Sequence, residues 1–254
     1  MTPTIMAAPT GARRGKADHP NLPIAIEEIA AEAAACQAAG ADAIHLHVRD
    51  AAGRHSLDAG LYREVIAATN AAAPGLPIQI TTEAAGIYAP AEQLACLEAV
   101  RPADASVCVR EIAPDPLVAD RLYHFAAEAG ISIQHILFTD EDVATLRAAY
   151  ASGRVPETMH RAILVLGAYA PARNGDPAEL PARLKAIEDM NLDWAVCAFG
   201  GGEQACLEAA MRLGGHARVG FENNLHRPDG ALADSTAEQV ARLVQVRARL
   251  TEKD

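Results

Sequence analysis

His45 and His47 lie in the run Gly40-Ala-Asp-Ala-Ile-His-Leu-His-Val-Arg-Asp50, whose apolar character reads as a buried strand. Alternate residues of a strand face the same side, so the two imidazoles project together. Polar rings in an apolar strand are costly unless something binds them. Two neutral imidazoles on one face are half of a transition-metal site, with zinc as the first expectation. The plain alternative is one satisfied core histidine and one surface histidine. A third ligand of the right chemistry is Glu222, in Arg218-Val-Gly-Phe-Glu-Asn-Asn224. Two His, one Glu and an open position make a catalytic rather than a structural arrangement. For Glu222 the competing role is a helix cap or a surface carboxylate.

These residues must be positioned by something. Short apolar, β-branched runs near 4–8, 43–48, 77–82, 105–109, 131–138, 161–167, 193–199 and 217–222 alternate with Ala-rich helical patterns at 26–38, 59–73, 90–100, 116–129, 140–151, 177–189, 203–213 and 236–250. Eight strand–helix units in sequence predict an α/β fold, a single (β/α)8 TIM barrel covering residues 1–254. A doubly wound open sheet is the competing architecture. Its usual Gly-rich first turn is missing from Pro9-Thr-Gly-Ala-Arg-Arg14. In a barrel the first, second and eighth strands are neighbours, so a carboxylate after the eighth can reach a metal held by the second.

Composition narrows the partners. The net charge is −11, with no Lys/Arg run, which argues against nucleic acid. No apolar run approaches the roughly 18 residues of a membrane span, and the N-terminus lacks the basic and apolar regions of a signal peptide. The five cysteines are scattered and odd in number, as expected of reduced thiols in a cytoplasmic protein.

Barrel active sites sit at the C-terminal ends of the strands. The polar residues expected there are Arg13 and Arg14, then Arg49 and Asp50, then Thr81, Thr82 and Glu83. Ser106, Arg110 and Glu111 follow, then Gln134 and His135, and finally Arg218, Glu222, Asn223 and Asn224. The loop Gly200-Gly-Gly-Glu203 opens the seventh helix. It is expected either to cradle a phosphate through its N–H groups or to serve as a simple glycine turn.

Three segments then become familiar. Gly-Ala-Asp-Ala-Ile-His-Leu-His-Val-Arg-Asp50, Gly53-Arg-His-Ser-Leu57 and Arg218-Val-Gly-Phe-Glu-Asn-Asn224 resemble the β-keto acid cleavage enzyme family, as do Thr10-Gly-Ala12 and His19-Pro-Asn-Leu-Pro23. The resemblance spans nearly the whole chain. It implies a TIM barrel with one zinc, or another divalent transition metal, on His45, His47 and Glu222. It implies retro-Claisen acyl transfer between a β-keto acid and acetyl-CoA, giving acetoacetate and a new acyl-CoA thioester, and a homo-oligomer, a tetramer in the family. Arg218 matches the arginine of the family's proton-abstracting pair, Thr81 a substrate-contacting serine, and Ser106 a threonine.

The departures are as informative as the matches. The family's aspartate after the zinc glutamate is Asn223, and an amide cannot take a proton at neutral pH. Glu83, Glu111 and His135 are the replacement bases on offer, with Glu83 expected first. A glutamate on the family's fifth strand falls at Ile136. Arg13 replaces a glutamate that holds a substrate amino group, so a distal anionic group on the substrate is expected, with Arg110 and Ser106 as further contacts. A barrel that kept its metal and lost its base, or that carries out aldolase- or hydrolase-type chemistry, is the alternative. Amidohydrolases place His-x-His on the first strand and add later histidines. Lyases resembling hydroxymethylglutaryl-CoA lyase place the pair on the seventh, where this chain has no histidine.

Overall fold

Eight parallel strands hydrogen-bond in a closed ring. They are β1 (Ile5–Ala7), β2 (Ala43–Leu46), β3 (Ile78–Thr81), β4 (Asp104–Cys108), β5 (Ser132–Leu137), β6 (Arg161–Leu166), β7 (Asp193–Ala198) and β8 (His216–Val219). The main helices are α1 (Ile26–Ala38), α2 (Ala59–Ala72), α3 (Pro90–Val100), α4 (Pro116–Ala129), α5 (Asp140–Ala151), α6 (Leu180–Ile187), α7 (Glu203–Arg212) and α8 (Thr236–Thr251). The computed structural model describes residues 2–251. Met6 of β1 pairs with Ala43 of β2 on one side and Arg218 of β8 on the other, which closes the ring. Among the described residues, no helix is long and apolar enough to cross a membrane. All five cysteines are free and buried.

Side-chain parity explains the barrel. Ile44, Ile80, Val107, Ile133, Leu164 and Val196 belong to the main core that packs strands on helices. The alternate positions face inward. On β4 to β7 those are Cys108, Ile136, Ile163, Val165, Ala195 and Cys197, a second apolar cluster joined by Phe199. On β2 and β3 they are His45, Gln79 and Thr81. Helix starts are fixed locally: Asp58 accepts from Leu61 N–H (2.9 Å) at α2, and Asp115 caps α4 just before Pro116.

Seven of the eight predicted strands are shorter than their sequence runs, most markedly at the ends that matter to the site. The 43–48 run ends at Leu46, because Val48–Arg49 leaves the barrel to pair antiparallel with His55–Ser56. The 217–222 run ends at Val219. Gly220 turns the chain at φ 152°, where a Cβ would lie 2.2 Å from the Ala8 carbonyl oxygen. Residues 4–8 contract to Ile5–Ala7. A helical turn, Val109–Ile112, follows β4 directly and carries Arg110 and Glu111. The predicted helix 177–189 splits into a 3-10 turn, Pro177–Glu179, and α6.

Candidate active site

His45 sits inside the barrel on β2, and His47 at the point where the chain leaves it. Glu222 comes from the turn after β8. Their atoms form a triangle: His45 Nε2 to His47 Nε2 is 3.2 Å, His47 Nε2 to Glu222 Oε2 is 3.3 Å, and His45 Nε2 to Glu222 Oε2 is 3.7 Å. Tetrahedral ligands at about 2.0–2.1 Å from zinc lie roughly 3.3–3.4 Å apart, so the triangle has the size of a transition-ion site. All three residues are buried, and Glu222 Oε2 has no hydrogen-bond partner. A buried, orphaned carboxylate oxygen beside two imidazoles fits a cation.

A polar chain through the barrel sets the tautomer of His45. Arg161 donates to Asp104 Oδ2 (2.6 Å), and the Gln79 amide NH2 donates to Asp104 Oδ1 (3.1 Å) and Gln134 Oε1 (3.2 Å). Gln79 Oε1 therefore faces His45 Nδ1 at 2.7 Å and must accept from it. The hydrogen is thus on Nδ1, and Nε2 presents its lone pair to the triangle. Burial, above all, pushes the His45 pKa down to about 3, so the ring is neutral. Burial alone would raise the Glu222 carboxyl. The Arg218 guanidinium is the main opposing influence and holds Glu222 well below the usual range. Arg218 donates to Glu222 Oε1 (3.0 Å) and to Cys197 Sγ (3.4 Å).

The turn that carries Glu222 is clamped from the first loop. Arg14 donates to the carbonyls of Phe221 (2.9 Å) and Asn223 (3.3 Å), and Tyr169 OH donates to the Glu222 carbonyl. Arg49 in turn holds the first loop, donating to the carbonyls of Gly11, Arg14 and Gly53. Sequence reasoning placed Arg14 and Arg49 at strand ends without seeing these backbone roles. It missed Gln79, Asp104 and Tyr169 altogether.

A cavity of about 300 Å³ opens over the triangle. Its polar wall includes Arg13, Thr81, Glu83, Arg110, Glu111 and Arg218, and its apolar wall Ile136, Phe138, Val165, Tyr169 and Phe199. Ser106 and Asn223, expected at the site, are buried and are not among the lining residues; Ser106 Oγ and both amide atoms of Asn223 lack partners. Arg110 lines the cavity, but its guanidinium is committed to Asp142 (2.6 Å). His135 is excluded as a base. It shares outward parity with Ile133 and Leu137 and packs between Tyr123 OH and the Met159 carbonyl. The glycine loop is no open cradle either. Gly200 N–H donates to the Asn223 carbonyl (3.1 Å), and a Cβ on Gly202 would lie 1.9 Å from the Gly175 carbonyl oxygen. Gly200 and Gly202 serve close packing against Asn174 and Gly175, while Gly201 faces open space.

Glu203 opens α7 beneath the Glu222 turn, accepting from Gly220 N–H (3.3 Å) and Asn224 Nδ2 (3.2 Å). Burial is the main reason its pKa is pushed up to about 8. A raised carboxyl binds its proton more tightly folded than unfolded, so its contribution is full below the unfolded carboxyl value and is lost as pH rises through about 8. Across that window, thermal stability of the native chain should fall relative to Glu203→Gln by up to about 1.4 kcal/mol per pH unit. Melting curves from pH 5 to 9 test this, and parallel curves for the two proteins would reject it.

A family model described as beta-keto acid cleavage enzyme matches residues 3–253. The chain is 30% identical to a 3-keto-5-aminohexanoate cleavage enzyme of Fusobacterium nucleatum, over 97% of this chain and 91% of that one. It is 25% identical to a 3-oxoadipate:acetyl-CoA acetyltransferase of Cupriavidus necator, over 94% and 86% respectively. Among solved structures, a ternary complex of ObcA with a C4-CoA adduct and oxalate superposes with a TM-score of 0.70 at 20% identity, covering 92% of this chain and 64% of the other. That likeness is one of fold.

Proposed function

Because the chain belongs to the β-keto acid cleavage enzyme family, we propose that it converts a β-keto acid and acetyl-CoA into acetoacetate and a new acyl-CoA, using a divalent transition ion, zinc first, on His45, His47 and Glu222. The observation that carries this reading is the buried triangle of ligand atoms at the floor of the cavity. An ion held there supplies Lewis-acid stabilisation of a developing enolate oxygen, an effect of several kcal/mol.

The chain's own residues do the rest. Arg218 keeps Glu222 ionised and aims a second positive group at the cavity. Thr81 Oγ1 accepts from Glu83 N–H (2.9 Å), which leaves the hydroxyl hydrogen free to donate into the cavity. Ile136, Val165 and Phe199 give the substrate's methylene body an apolar wall and exclude water.

Arg13 at the cavity wall supports a substrate with a distal anionic group. One relative is named for 3-oxoadipate, a keto diacid. Arg13 is half exposed and 3.6 Å from Glu83, so its effect is screened well below that of a buried pair. Arg13→Glu should lower kcat/KM for keto diacids by about ten- to thirtyfold, or roughly 1–2 kcal/mol, and for neutral-tailed keto acids by much less. The test is a panel of β-keto acids with acetyl-CoA and zinc-loaded protein, following acetoacetate and acyl-CoA by mass spectrometry. Turnover of none of them would remove the proposed activity. Equal losses across tails in Arg13→Glu would remove only the charge selection.

A further inference from the structure

We propose that Glu111 is the proton-transferring residue of this chain: its carboxylate takes a proton from the carbon between the keto and carboxylate groups of the substrate and returns it to that carbon in acetoacetate. The proposal rests on the reading above and fills the place left by Asn223.

Glu111 stands on the helical turn straight after β4, in the wall of the same cavity as His45 and Glu222. The hydrogen bonds it accepts all fall on Oε2, from Ala84 N–H (2.9 Å) and Gln93 Nε2 (3.0 Å). Gln93 is fully buried and itself fixed by donating to the Thr82 carbonyl (2.6 Å). One oxygen is thus pinned by a rigid support, and the other is left for a substrate. A general base needs this combination of fixed direction and open lone pair.

The competing groups are each disposed of by geometry. Glu83, the base expected first, faces the Arg13 guanidinium at 3.6 Å. Asn223 is an amide and does not line the cavity, and His135 points away from it. The Cys108 thiol lines the cavity, but burial pushes its pKa far up. The environment of Glu111 also suits both directions of transfer. Burial raises its pKa most and the neighbouring Glu83 adds to that. The Ala84 and Gln93 hydrogen bonds and Arg13 oppose, and the value is pushed up to about 7. Two cavity carboxylates in unlike surroundings commonly divide charge and proton roles in this way.

The step balances without an outside reagent. Glu111 accepts the C2 proton, and the C–H electron pair forms a C–C bond to the acetyl carbonyl carbon. The thioester C–S bond breaks and CoA leaves as thiolate. The thiolate then bonds to the original keto carbon, the bond from that carbon to C2 breaks, and C2 regains its proton from Glu111. Nothing is oxidised or reduced.

The experiment uses zinc-loaded protein and whichever β-keto acid the panel shows to be turned over. Glu111→Gln should lower kcat by at least about a hundredfold, with zinc content and the melting curve unchanged. Wild-type kcat should fall as pH drops below about 7. Glu83→Gln should keep that limb but move it to lower pH, since the neighbouring charge that helps raise Glu111 is gone, and Glu111→Asp should keep it at reduced kcat. Glu111→Gln within threefold of wild type, or loss of the limb in Glu83→Gln, would overturn the proposal. So would a wild-type profile flat from pH 5.5 to 8.5, whether or not the variants fold. An inactive wild type would instead count against the proposed function.

Discussion

His45→Ala is expected to leave the protein folded, empty the metal site and lower kcat/KM by about a thousandfold or more. The loss follows from removing one of three protein ligands from a site whose ion supplies several kcal/mol to the reaction, at about 1.4 kcal/mol per factor of ten. His45 is the ligand to choose because its Nδ1–H is already held by Gln79 and its ring by the barrel interior, so its position costs nothing to organise when an ion arrives. Elemental analysis of protein purified without chelator, with competition against a chromophoric chelator, reads the metal directly. Full metal content in His45→Ala would refute the ligand assignment even if activity fell. Gln79→Leu, which removes the support and keeps the ligand, should cost metal affinity only about ten- to a hundredfold.

Gly11→Ala should be nearly as damaging, although residue 11 donates no side chain to the site. Gly11 has φ +64°, which a residue with a Cβ adopts only at a cost of about 1 kcal/mol. The larger effect is steric. An added Cβ would lie 2.7 Å from Glu222 Cγ and 3.1 Å from its Cα, so the ligand glutamate must move. It cannot move without disturbing the turn clamped by Arg14, and the loop cannot retreat because Arg49 grips the Gly11 carbonyl at 2.5 and 3.1 Å. A shift of order 1 Å at a reacting site costs roughly a hundredfold in rate. We expect that loss in kcat/KM with a matching fall in zinc affinity. Unaltered affinity in a folded Gly11→Ala protein would show that the loop yields and that the close approach is not what seats Glu222.

The meeting of His45, His47 and Glu222 was legible because it depends on two rules visible in any chain. Period-two alternation puts His45 and His47 on one side, and ring closure brings β8 beside β2 through β1. His135 could have been set aside by the same alternation, since Ile133 and Leu137 share its parity and face the helices. Glu111 was named among the candidate bases, but its rank was not legible. The pinning of Oε2 needs Ala84 and Gln93, which reach it from the third unit of the barrel. The clamps made by Arg14 and Arg49 were hidden for a related reason. Their partners are backbone carbonyls, which carry no sequence signature. The glycines at 200 and 202 signalled a special backbone, and only tertiary contact decided between a phosphate cradle and close packing.

The cavity is built in two halves from different parts of the ring. His45, His47, Glu222 and Arg218 come from β2, β8 and the turns that follow them, with Thr81 and Glu83 beside them at the end of β3 and Glu111 just after β4, while Ile136, Val165 and Phe199 come from β5, β6 and the end of β7. On the proposed reading the apolar wall and the ligand-bearing wall can therefore change largely independently, with Arg13, which reaches the cavity from the first loop beside Glu83, as the exception. Enlarging Val165 should alter which tail fits without touching the Glu222 turn, whereas trimming Phe199 would also release Tyr169, which packs against it and holds the Glu222 carbonyl. Such a barrel can drift in substrate range by single substitutions while its chemistry stays fixed, and the same partition gives an engineer a wall to rebuild without rebuilding the catalyst.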